Sequence, residues 1–265
     1  MVMESSQSFK PKNNHKKILY CVSSMGLGHA RRSVSIAEQI RAMHENIQID
    51  WLCAEPVLSF IRKSGEYALE VSAQLESIGS AMESVAVKGK IQDMSRVARL
   101  TARLGKKNYQ MIKPYLSHYD ALIQDEFVET LFSFMWDKAP RLPDRRAVIT
   151  DYVLFETSSW NPLNRLVLAY ANRSLRKAFL NQSIRIFADG TDALPNVNSV
   201  REWVSENFHV VGPIIDDLPS NSERELKQEL LNLEGEKRLV VFTVGGTSIG
   251  RTLVEFVTRN AGEIS

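Results

Sequence analysis

The chain has 265 residues, 44% of them hydrophobic and 24% charged, with a formal net charge of +2. This is ordinary for a globular protein, and long enough to bury one substantial core or one domain and part of another. The near balance of 33 basic and 31 acidic residues gives no case for a nucleic-acid partner, and no run reaches the roughly 18–20 apolar residues of a membrane span.

Residues 1–16 are polar and carry Lys10, Lys12 and Lys16 without an apolar stretch. They read as a disordered leader and not as a secretory signal. From residue 17 onward strand and helix signals alternate. Short apolar runs predict strands at 17–22, 47–53, 121–124, 147–150, 184–188, 209–211 and 239–244. Cys21 and Cys53 are the only cysteines and fall inside the first two runs, so they read as buried thiols of a reducing compartment. The expected location is the cytoplasm.

Between the first two strands Ala30, Val34, Ala37, Ile40 and Met43 recur at helical spacing, while Glu38, Gln39 and Arg41 face away. This is a βαβ unit. Its repetition predicts an α/β chain with a doubly wound, mostly parallel sheet and ligands at the carboxyl ends of the strands. Gly212-Pro-Ile-Ile-Asp-Asp-Leu-Pro-Ser220 breaks the alternation and places a domain boundary there. The expected organisation is an N-terminal domain at 17–212, a linker and charged helix at 213–236, and the start of an incomplete second α/β domain at 237–265. The strand at 239–244 has no partner of its own there, unless it joins the first sheet.

Two strand–glycine–helix turns carry the chemistry. In the first, Gly26 and Gly28 let the backbone bend after the strand and turn amide N–H groups toward a ligand, with His29 at the start of the helix. A helix N-terminus draws anions, and a histidine there can move protons at neutral pH. A surface histidine without a role is the plainer alternative. A dinucleotide fingerprint needs a third glycine where Arg31 stands, so NAD is not expected. Arg31 or Arg32 is a candidate to meet an anionic ligand, or both are solvated. The second turn, Gly245-Gly246-Thr247-Ser248, would offer backbone donors to a diphosphate. Gly245 to Thr252 comes one residue short of a P-loop, with arginine in place of the lysine. Asp125 and Asp151 each follow a predicted strand on the same edge as His29; either could steady that histidine or cap the next helix. The histidines show no metal-ligand spacing and no Asp-x-Asp occurs, so neither metal nor cofactor is expected.

Val22-Ser-Ser-Met-Gly-Leu-Gly-His-Ala-Arg-Arg-Ser33 resembles the N-terminal loop of GT-B glycosyltransferases, in the microbial group of peptidoglycan and glycolipid GlcNAc and galactosyl transferases. His209-Val-Val-Gly-Pro-Ile-Ile215 resembles their interdomain junction, and Val241-Phe-Thr-Val-Gly-Gly-Thr247 the first strand and loop of their nucleotide-sugar domain. The resemblance implies an acceptor-binding domain facing a donor-binding one, with metal-independent transfer of a sugar from a nucleoside diphosphate, UDP above all, to a hydroxyl on a lipid or glycan. It maps the transfer-site histidine onto His29, the acceptor or phosphate loop onto Gly26, Gly28 and Arg31, and the donor diphosphate onto Gly245, Gly246 and Thr247. The rest of a donor domain is not in this sequence, so the resemblance implies a fragment of the full enzyme. The rival readings are a non-catalytic acceptor-binding or membrane-recruiting subunit whose partner chain brings the donor half, and a sugar-nucleotide epimerase of the same fold.

Residues 87–119 are basic, with Val97, Leu100, Leu104 and Met111 near one helical stripe. Such a helix can rest on the inner face of an anionic membrane or pack its stripe on the domain. Aromatics do not interleave the charges, which again disfavours nucleic acid.

Overall fold

The computed structural model describes residues 15–85, 94–156, 161–194, 197–215 and 251–264. Six strands form one sheet: β1 (Lys16–Val22), β2 (Ile47–Leu52), β3 (Ala121–Asp125), β4 (Arg145–Thr150), β5 (Ile184–Phe187) and β6 (His209–Val210). Their order is β2-β1-β3-β4-β5-β6, and every neighbouring pair is parallel. Each of the first six predicted strands is present, with its ends shifted by at most two residues; the seventh, at 239–244, lies outside the described residues.

Parallel strands need crossovers, and helices supply them. They are α1 (Leu27–Met43), α2 (Val57–Lys63), α3 (Ile78–Ser84), α4 (Met94–Leu116), α5 (Val128–Leu131), α6 (Ser133–Trp136), α7 (Pro162–Leu180), α8 (Asn198–Asn207) and α9 (Arg251–Ile264). Because side chains alternate along a strand, β1 feeds both faces of the sheet. Ile18, Tyr20 and Val22 pack with Ile49, Trp51, Val57 and Ile61 on one face. Leu19 and Cys21 pack with Leu52, Leu122, Tyr109, Ile112 and Leu116 on the other. Tyr20 and Trp51 stack with ring centroids 4.6 Å apart, worth about 0.5–1.5 kcal/mol beyond their burial. A third cluster joins Val148 and Phe187 to Leu175 and Phe179 of α7 and Val200 and Val204 of α8. Cys21 and Cys53 are buried and free.

Two expectations are refined by packing. The α1 stripe holds at Ala30 and Ala37, but Met43 is exposed, because the last turn of α1 runs out to the amino edge of the sheet. In α4 the apolar stripe is turned inward: Val97, Leu104, Ile112 and Leu116 are buried, while Arg96, Arg99, Arg103, Lys106 and Lys107 face solvent. Leu100 and Met111 of the same stripe are half-buried, and residues 87–93 of the basic segment lie outside the described residues. Among the described residues no helix is long and apolar enough to cross a membrane.

The strand order fixes where a ligand can enter. From β1 the chain moves outward to β2, then returns to the other side of β1 as β3. The crossovers on either side of this point diverge and leave a crevice beyond the carboxyl ends of β1 and β3. Past β6, residues 211–215 adopt no regular element, and Gly212 turns with φ +76°. The expected linker from residue 216 and the second domain up to residue 250 lie outside the described residues.

Candidate functional site

The turn after β1 depends on one glycine. Gly26 caps α1 with φ 150° and ψ 160°, a region essentially closed to residues with a Cβ. Gly28 is already helical, and a Cβ there would meet nothing within 4 Å, so its space is open to a ligand. His29 is the third helical residue, in the first turn of α1. The loop is braced from behind: Gly79 in α3 donates its N–H to Ser24 Oγ at 3.3 Å, and a Cβ on Gly79 would come within 2.5 Å of Ser24 O.

From this turn α1 projects His29, Arg32 and Ser33 toward the ends of β3 and β4. Asp125, the last residue of β3, has no exposed surface. It receives Arg32 Nε on Oδ2 at 2.6 Å, Arg32 Nη2 on Oδ1 at 2.5 Å and Ser33 Oγ on Oδ2 at 3.0 Å. His29 Nδ1 lies 2.8 Å from Asp125 Oδ1. Arg32 Nη2, which can only donate, lies 2.9 Å from the same Nδ1 but is given to Asp125 Oδ1 at 2.5 Å; with Nδ1–H on the carboxylate, which can only accept, Nε2 is the ring's proton acceptor. Asp151, just past β4, takes Arg32 Nη1 on Oδ2 at 3.1 Å and keeps 42% of its side chain exposed. The fold thus brings together His29, Asp125 and Asp151. It adds Arg32, 9% exposed, where Arg31 is exposed.

Sequence reading missed Glu126. It is 3% exposed and follows β3 with φ +51°. Its Oε1 accepts the Asp151 N–H at 2.9 Å, and its Oε2 lies 3.5 Å from His29 Nε2. Two acidic residues in succession at a strand end were the available signal. Alternation, however, sends consecutive side chains to opposite faces, and only the left-handed turn brings the second back.

Three carboxyls meet one guanidinium and one imidazole here, and their proton affinities reflect it. For Asp125, burial works against ionisation, but the bonds from Arg32 and His29 outweigh it and hold the carboxyl below its ordinary range. For His29, burial alone would favour the neutral ring; the hydrogen bond and charge of Asp125, with the charge of Glu126, reverse this and raise its pKa. Glu126 is pushed up to about 8, first by burial, then by Asp151 and Asp125 against the opposing effect of His29.

His29, Glu126 and Asp151 each offer a ligand atom within 4.8 Å of the others, a donor set of the kind divalent ions use. Arg32 already carries positive charge into this space, 3.1 Å from Asp151 and 3.9 Å from Glu126. A metal ion would have to share it with a buried cation, and the three residues fit a guanidinium-neutralised site better than a metal centre. Gly245, Gly246 and Thr247 lie outside the described residues.

No family model matches the chain, and no curated protein matches it. Solved structures overlap it at low identity. The Medicago truncatula protein UGT71G1 complexed with UDP-glucose is 13% identical, with 85% of this chain and 59% of that one covered at a TM-score of 0.46. For Arabidopsis thaliana UGT89C1 complexed with UDP the values are 11%, 81%, 57% and 0.45. For the glycosyltransferase SnogD from Streptomyces nogalater they are 16%, 68%, 48% and 0.42. The chain spans between 48% and 59% of the length of these three proteins, and no residue's role follows from overlaps of this kind.

Proposed function

We propose that the described sheet is the acceptor-binding part of a glycosyltransferase that moves a sugar from a nucleoside diphosphate, UDP being the favoured carrier, to a hydroxyl acceptor. One observation carries this reading: the 2.8 Å contact between His29 Nδ1 and buried Asp125, at the crevice where an open parallel sheet binds ligands. Attack of a hydroxyl on an anomeric carbon needs a base to take its proton. Asp125 orients the ring and stabilises its charged form, and Nε2 receives the proton. Arg32 ties Asp125 to Asp151 and keeps the buried carboxylate ionised. Exposed Asp151 stands at the mouth of the site, where a polar acceptor would pass. The reaction needs no metal in this scheme. On the donor side, the N–H groups of the Gly245–Thr247 turn are proposed to meet the diphosphate.

His29→Ala in the native full-length protein, assayed for transfer from UDP-glucose to a panel of alkyl glycosides, tests the scheme. Transfer is expected to fall about 10²–10⁴-fold, the range of general acid–base catalysis, with the melting temperature preserved. Because the His29 pKa is raised, the basic form appears only above the ordinary imidazole midpoint, and the acid limb of kcat/KM is expected above about pH 6.5. Full turnover by His29→Ala would sink the assignment.

A further inference from the structure

Glu126 is the one ionisable group of the cluster without a part in this scheme. A buried carboxyl on a left-handed backbone is an uncommon choice, since glycine would make the same turn without strain and without a charge to bury. The turn serves to place the side chain. Oε1 is fixed by the Asp151 N–H at 2.9 Å and lies 2.9 Å from Thr150 Oγ1, whose single proton is shared with Tyr152 O at 2.6 Å. Oε2 faces His29 Nε2 at 3.5 Å, too far for a good hydrogen bond yet close enough for one oxygen atom to reach both at about 2.8 Å. The other groups around it are accounted for. From α1, Arg32 Nη2 is 3.9 Å from Oε1 but bonds Asp125. Asp125 precedes it on β3. From the segment after β4 come Asp151 and Tyr152, whose phenol is kept neutral by burial and by the charges of Glu126, Asp151 and Asp125.

We infer that Glu126 is a second proton-handling residue, its Oε2 and His29 Nε2 receiving the same acceptor hydroxyl from two sides. The identity of that hydroxyl rests on the transferase reading. Before reaction the pair shares one proton; afterwards it holds two. The acceptor O–H bond breaks and its proton passes to the pair. The acceptor oxygen bonds the anomeric carbon, and the bond from that carbon to the diphosphate breaks, its electrons leaving on the nucleoside diphosphate. Loss of one proton to solvent resets the pair. Raised proton affinity on both members fits this sharing: Glu126 is pushed up to about 8 and His29 is raised by the hydrogen bond and charges it faces.

The first test needs no acceptor. Protein labelled with ¹⁵N-histidine is titrated by NMR as wild type and as Glu126→Gln, an isostere that keeps the Oε1 contacts and removes the charge. The His29 midpoint is expected to fall by about one unit or more, the size of shift a close carboxylate produces; an unmoved midpoint overturns the inference. Transfer from UDP-glucose to octyl glucoside is then compared. In Glu126→Gln, kcat is expected to fall about 100-fold with little change in KM, and the acid limb to move to lower pH. Glu126→Asp, which restores the charge one methylene short, is expected to return the limb toward wild type. Wild-type kcat and limb in Glu126→Gln overturn the inference and leave His29 as base. A wild type that transfers no sugar, while His29 still responds to Glu126, supports the pairing and overturns the transferase reading instead.

Discussion

Strand β3 has an aspartate at each end, and the two could hardly differ more. Asp120, just before the strand, accepts the Lys17 N–H at 2.9 Å and faces Lys16 Nζ at 3.4 Å, with 44% of its side chain exposed. Asp125, five residues on, is sealed from solvent and held by Arg32, His29 and Ser33. The amino end is also grooved. Grooves of about 470 and 580 Å³ open there, lined in part by Lys16, Asp120 and Arg145. Charge alone therefore does not tell the two ends apart. What separates the ends is desolvation: water screens the pair at Asp120, whereas at Asp125 each charge depends on a fixed partner.

Several substitutions would break or sharpen this contrast. The largest effect is expected from Asp125→Ala, which leaves Arg32 and His29 buried without their shared carboxylate. Breaking a buried pair in this way costs about 3–5 kcal/mol, read as a fall in the denaturation midpoint together with loss of transfer; wild-type stability would mean that the cluster is not the desolvated unit described. Next comes Gly79→Ala. Its Cβ would press on Ser24 O at 2.5 Å and Met25 Cα at 2.9 Å, both backbone atoms of the loop that presents His29. A cost of about 1–3 kcal/mol is expected, with amide shifts spreading through residues 24–29 in an NMR spectrum.

A further effect concerns pH. Groups with raised folded-state pKa values stabilise the protein below their unfolded values, and this stability is lost as pH rises through the folded ones. Glu126, moved from 4.5 to about 8, and His29, raised from 6.5, both act in this sense. Asp125, lowered from 3.8, acts only in acid, as pH falls through its folded value. Melting temperature is therefore expected to decline between about pH 4.5 and 8 and above, and to decline less in Glu126→Gln. The smallest effect is expected at the other end of β3: Asp120→Asn should leave both melting temperature and transfer within replicate scatter. A marked loss in that variant would show that the amino end matters more than its solvation suggests.

Much of the fold was legible because its signals are local. Runs such as 17–22 and 121–124 are apolar throughout, as strands covered on both faces must be, and Ala30 and Ala37 mark the buried side of α1. His29, Asp125 and Asp151 could be named because each lies at or just past the carboxyl end of a strand, where parallel sheets bring distant residues to one edge. Arg32 could not be told from Arg31, since the letters do not say which of two adjacent arginines a helix turns inward. Glu126 was hidden more deeply, because its place in the site depends on a positive φ that no glycine or asparagine announces. The burial of Val97 and Leu104 of α4 against the domain was likewise a matter of tertiary packing.

The measurement that bears most directly on the contrast between the two ends is a binding map. Amide and imidazole shifts of the ¹⁵N-labelled protein would be followed as octyl glucoside is added below its micellar concentration. Perturbations centred on Gly26–His29, Glu126 and Asp151, sparing Lys16, Asp120 and Arg145, are the expected result. Perturbations confined to the amino-end grooves would contradict the assignment of the acceptor to the carboxyl end of the sheet.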